Sequence, residues 1–277
     1  MRYRWLSVFP LLYAAGFIVI VLALQGGGHD FESFRRGQLL LVRALAIAGC
    51  FAAASAFGKG DHLRRAWLWL AWATILVLVR DLLRFPIEIV PDGGWGQWLV
   101  TGLGVLSNFA LLAGTWMLAR AWKLAAITLP GGRGGAALVT VATAVLALVV
   151  VGPAVWRHAQ SLAGGEWGQL VLLVSAVVDI LAVCLIAPLL LTAMALRGGL
   201  VGWPWALVTA SLVCWLLYDG AADVQRMVSV GFPLTDVFRG MAENYLFAAG
   251  LAQRFVVQHV RKEATNATMI GMAPRGA

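Results

Sequence analysis

Six ionisable residues stand where an apolar chain least tolerates them: Asp219, Asp223 and Arg226 at the end of one hydrophobic run, and Asp236, Arg239 and Glu243 inside the next. A charge at the bilayer centre costs about 2.5–3.5 kcal/mol on insertion scales, so each needs a partner, a proton or a wet cavity. An earlier stretch echoes the pattern: Arg80, Asp81 and Arg84 close a run, and Asn108 sits inside the one that follows. Ser211, Trp215, Asp219, Asp223 and Arg226 recur at helical spacing, which places charge on one helix face toward the outer surface. Arg80, Asp81, Arg84, Asp219, Asp223, Arg226, Asp236 and Arg239 are therefore expected to form one outer cluster. Carrying both signs, it suits a zwitterionic or polar ligand, or a partner's charged loop, better than a simple cation. A salt-bridge network pinning helix ends accounts for the same residues.

A second group lies deeper. Counted at 1.5 Å per residue, Asn108, Asp179, Glu243 and Asn244 fall roughly 14–16 Å below the outer ends of their helices, near the bilayer midplane. Arg239, one turn from Glu243, is its expected partner, and Ser175 or Arg43 is that of Asp179. The competing reading is that these groups only hold helices together.

The elements that must position these residues follow from composition. The chain has 277 residues, 61% hydrophobic and 12% charged, with a mean hydropathy of +0.84, which lies outside the range of soluble domains. Eight stretches reach the length of about 20 apolar residues that a spanning helix needs: 5–24, 38–57, 66–85, 98–119, 136–156, 169–196, 203–223 and 234–255. The expected fold is an all-α integral membrane protein of eight transmembrane helices in one polytopic domain. The first stretch has no A-x-A cleavage site and is read as a retained helix. Trp5, Trp67, Trp95, Trp98, Trp122, Trp156, Trp167 and Trp203 fall near helix ends as interfacial anchors.

Gly37-Gln-Leu-Leu-Leu-Val and Gly168-Gln-Leu-Val-Leu-Leu open the second and sixth stretches; Asp81 matches Asp219, and Asn108 with Gly114 matches Asn244 with Gly250. These matches divide the chain into parallel four-helix repeats, 1–130 and 131–260, with 261–277 a flexible cytoplasmic tail. Thirteen of the 21 basic residues, every lysine among them, flank one side, which places both termini in the cytoplasm of a bacterial inner membrane. The net charge of +8 is thus topogenic, and nucleic acid is not an expected partner.

Several chemistries are set aside. His29, His62, His158 and His259 lie in loops or at helix ends, so no buried axial pair for haem is expected, and loop solvation accounts for them better than a metal. No lysine sits inside a span for a retinal Schiff base. Cys50, Cys184 and Cys214 read as packing thiols. No HExxH, Walker loop or GxSxG occurs, so neither an enzyme, a metal nor a cofactor is expected.

The stretch from Trp215 to Arg254, with Asp219 ending one helix and Pro233 to Asp236 opening the next, resembles the eight-helix membrane region that precedes output domains in some bacterial diguanylate cyclases and histidine kinases. Asp81 fits that pattern in the first half, whereas no Pro-x-x-Asp precedes the fourth stretch. The resemblance implies a sensor-type bundle, and since no output domain follows Arg261 it is expected to signal through a partner. The resulting expectation is a non-enzymatic sensory or partner-binding module whose partners are the lipid bilayer, another membrane or signalling protein and a small polar ligand. A small proton-coupled transporter and a structural subunit of a larger membrane complex are the alternatives.

Overall fold

A computed structural model describes residues 5–24, 29–84, 94–124, 132–195, 202–228 and 233–271. They form eight helices: α1 (Trp5–Leu24), α2 (His29–Ser55), α3 (His62–Arg84), α4 (Gly94–Leu124), α5 (Gly132–Ala163), α6 (Leu170–Ala195), α7 (Gly202–Val228) and α8 (Leu234–Gly271), with a 3-10 turn, Trp167–Gln169, before α6. Helix is what lipid demands of such a sequence, because it satisfies backbone polar groups within the segment. Pro10, Pro153 and Pro188 sit inside α1, α5 and α6, as spanning helices tolerate.

Seven helices, α1 to α7, are long and apolar enough to cross a bilayer. The last helix falls short because Asp236, Arg239, Glu243, Asn244, Gln253 and Arg254 interrupt its apolar run. Packing explains its polarity. Val237, Ala242, Leu246, Ala248, Ala249, Ala252 and Val256 of α8 are all buried, and the helix lies against α1, α2 and α7. Hydropathy scores fitness for lipid, and this helix meets protein instead. The opposite case is α5, where Leu138, Val141, Leu146 and Val149 are exposed and apolar.

Neighbour contacts run α2–α3–α4–α6–α7–α8 and back to α2, closing a ring of six helices; α1 packs outside on α8, and α5 outside on α6 and α7. Across the α2–α8 seam the pairs Arg35–Asp236, Arg43–Glu243 and Gly49–Gly250 advance together, so the two helices run parallel. Gln97–Gly168 and Gly104–Val171 show the same of α4 and α6.

Glycine permits the closest of these approaches. A Cβ on Gly250 would collide with the backbone carbonyl of Gly49, and one on Gly49 would lie 2.7 Å from the Cα of Phe247. Backbone cannot swing aside as a side chain can, so the helices must separate. Gly250→Ala is therefore expected to lower the unfolding free energy by about 1–3 kcal/mol, the usual range for overpacking. A thermal unfolding series in detergent that leaves the midpoint unchanged would contradict the tight seam.

Several expectations change. The second helix begins at His29 rather than near residue 38, which brings Glu32, Arg35 and Arg36 onto α2. At the other end α8 stays helical past Arg261 to Gly271, where the sequence suggests a frayed tail; residues 272–277 lie outside the description. Trp5, Trp95, Trp98, Trp156 and Trp167 are exposed as interfacial anchors should be, but Trp67 is buried among Leu70, Leu118 and their neighbours. Cys50 and Cys214 are buried, while Cys184 is only partly so.

Candidate functional site

Arg43 is the one charge in the apolar run from Leu39 to Phe57, and it is 0% exposed. Such a group persists only if its partners are already in place. From α2 it donates through Nη1 to Oδ2 of Asp81 on α3, and its Nε lies 3.5 Å from Oε1 of Glu243 on α8, an ion pair without hydrogen-bond alignment. Arg239 Nη2 donates to the same Oδ2 of Asp81 at 2.8 Å, and Arg80 Nε donates to Oδ1 at 3.0 Å. A single buried carboxylate thus holds three guanidiniums from three helices. Several guanidinium donors remain unmatched: Nη2 of Arg43 and Nε of Arg239 are buried and have no hydrogen-bond partner among the described residues.

Acid gathers on the other side of the ring. Asp179 of α6, 2% exposed, and Asp219 of α7 bring two carboxyls to this side. Oδ2 of Asp179 is left without a hydrogen-bond partner among the described residues.

Between the two sides lies a cavity of about 110 Å³. All six helices of the ring supply its lining: Arg43, Arg80, Asn108, Asp179, Asp219 and, from α8, Arg239 and Glu243, with Leu111, Trp215, Tyr218 and Leu246 as apolar walls. At roughly 30 Å³ per water molecule in the liquid, this space admits a few waters or one compact solute. Asp81 does not line it; it stands behind the arginines and fixes where they point.

The outer cluster and the midplane group, separate layers in the sequence reading, thus meet. Arg239 pairs with Asp81 rather than with Glu243, and Arg43 serves Glu243 and Asp81 rather than Asp179. One helical turn does place Arg239 beside Glu243, but Asp81 reaches it across the α3–α8 gap and accepts its hydrogen bond. Asp236 belongs to a distinct cluster, in which Arg35 bridges Asp236 at 2.6 Å and Glu32 at 3.0 Å. Arg84 is exposed at the end of α3, away from the cavity. Asp223 and Arg226 lie on the last turns of α7, and their side chains fall outside the description. Asn108 and Asn244 each donate to a carbonyl one turn back, that of Gly104 and that of Gly240; Asn108 also lines the cavity, whereas Asn244 is buried beside it. His158 is a buried partner of Gln169 at 2.9 Å rather than a solvated loop residue.

Sequence reasoning gave Arg43 only a minor part. Its signal was present, a lone guanidinium in an otherwise apolar run, but the partner it would find depended on packing. The chain matches no known family model, no curated protein and no solved structure. Function must therefore be argued from the site.

Proposed function

We propose that this chain is a non-enzymatic, ligand-responsive membrane module that binds a small polar molecule inside its helical ring and reports it through α8. The observation that carries this reading is the cavity itself, to which all six ring helices contribute and whose lining brings guanidiniums from α2, α3 and α8 together with carboxyls from α6, α7 and α8. Such a centre is sensitive to its contents, since anything bound there touches every helix of the ring. One of them leads outward: α8 carries Arg239 and Glu243 in the cavity wall, and from Gln258 to Asn266 it is exposed, a single helix continuing beyond the bundle. The resemblance to the membrane regions of diguanylate cyclases and histidine kinases favours the same role.

In this reading α8 is the eighth span, its polarity explained by its central place, and the basic ends of the helices face the cytoplasm of a bacterial inner membrane. The four-plus-four repeat is supported by the ring, whose neighbour order is unchanged when α2, α3 and α4 are exchanged with α6, α7 and α8. Support also comes from Gly104 with Asn108 and Gly240 with Asn244, which make the same backbone contact at the same offset. The outer helices depart from that symmetry, α1 lying on α8 while α5 lies on α6 and α7.

Coupling between cavity and helix is testable by hydrogen exchange in lipid nanodiscs. Arg239→Ala should speed amide exchange at least about tenfold along residues 250–266, an opening free energy lower by about 1.4 kcal/mol, while α5 keeps its protection. Uniform loss of protection, or none, would contradict a specific path through α8.

A second reading, a proton-coupled carrier, is favoured by one observation, the carboxyls of Asp179 and Asp219 together in the lining of the cavity. It requires that Asp179→Asn and Glu243→Gln abolish proton-linked uptake in liposomes. Unchanged flux, or no flux in the parent chain, would remove it.

A further inference from the structure

We propose that the cavity takes a small zwitterion of the amino-acid type, its carboxylate on the side of Arg43, Arg80 and Arg239 and its ammonium on the side of Asp179. The inference rests on the proposed role of the cavity as a ligand site and names the class of ligand.

Unmatched atoms point to it from both sides. Arg43 is 0% exposed and Asp179 is 2% exposed, so neither can turn to bulk solvent for what it lacks. Among the described residues, Nη2 of Arg43 and Nε of Arg239 are donors without acceptors, and Oδ2 of Asp179 is an acceptor without a donor. Leaving such groups unsatisfied costs about 1–3 kcal/mol each, more where the group is charged. A carboxylate matches guanidinium geometry, and an ammonium brings three donors to a carboxylate.

The signs of the lining charges select between ligand classes. Three guanidiniums stand among the carboxyls of Asp81, Glu243, Asp179 and Asp219, so both signs meet at the cavity. A simple anion or cation answers only one of these signs in a low-dielectric interior, whereas a zwitterion answers both. It also satisfies both sides at once, which acetate or an alkylammonium ion cannot.

Size narrows the class further. With about 110 Å³ between walls that include Trp215 and Leu246, there is room for glycine or alanine but not for an aromatic side chain. Water is the competing occupant, since a few molecules could satisfy the same atoms.

Isothermal titration of the full chain in lipid nanodiscs, with glycine, L-alanine, acetate, methylammonium and L-phenylalanine as probes, decides the matter. Glycine or alanine should bind at least tenfold more tightly than each of the other three. Asp179→Asn, which keeps the shape of the side chain, should weaken alanine binding at least tenfold while the unfolding midpoint without ligand stays near that of the parent. If acetate binds as well as alanine, or Asp179→Asn binds alanine as the parent does, the zwitterion is wrong while the ligand-site reading stands. If no probe binds and none shifts the unfolding midpoint, the cavity holds only water, and both the inference and that reading fall.

Discussion

Asp81→Asn is expected to be among the most damaging single substitutions in this chain, lowering unfolding free energy by about 3–5 kcal/mol, the cost of removing one member of a buried ionic group. Asp81 is 4% exposed and accepts from Arg43, Arg80 and Arg239. An amide keeps the shape but brings no charge, and its NH₂ end presents donors to guanidiniums that are themselves donor only. Arg80 and Arg239 retain some exposure and can turn toward water, but Arg43 cannot. The damage should therefore concentrate on Arg43, and Asp81→Asn/Arg43→Gln should recover part of the loss despite carrying two changes. Thermal unfolding in a common detergent measures all three proteins. A loss below about 1 kcal/mol for the single variant would show that the three arginines do not depend on Asp81.

The sequence made seven of the eight expected apolar runs legible because lipid imposes length and hydropathy directly, and α1 to α7 satisfy both. It made the rare charges inside those runs legible for the same reason. Pairing was less accessible, since helical spacing says which residues share a face but not which helix that face will meet. Arg239 and Glu243 share a face, yet Arg239 turns to Asp81, 158 positions earlier in the chain. Glu32 and Arg35 entered only when α2 was found to begin at His29, and Arg43 met Glu243 rather than Asp179 because α2 runs parallel to α8. Trp67 was misplaced because an aromatic residue near a helix end serves equally well as an anchor or as filling, and the neighbouring α4 buries it.

Arg43→Met is the complementary case, and it separates stability from binding. Methionine fills much of the volume of the arginine stem, so packing suffers little, but Glu243, 2% exposed, loses the guanidinium that lies 3.5 Å away. An uncompensated buried carboxylate should again cost about 3–5 kcal/mol. Glu243→Gln removes that orphan charge, so Arg43→Met/Glu243→Gln should be more stable than Arg43→Met alone, with a coupling of about 0.5–3 kcal/mol in a double-mutant cycle. Strict additivity would mean that the two side chains do not act as a pair. Buried ion pairs replaced by well-packed neutral groups often leave proteins as stable as before, so the double variant may be read for binding as well as folding. A double variant that unfolds like the parent yet no longer binds alanine would show that Arg43 and Glu243 serve the ligand rather than the fold. One that still binds alanine would assign the carboxylate end to Arg80 and Arg239 alone.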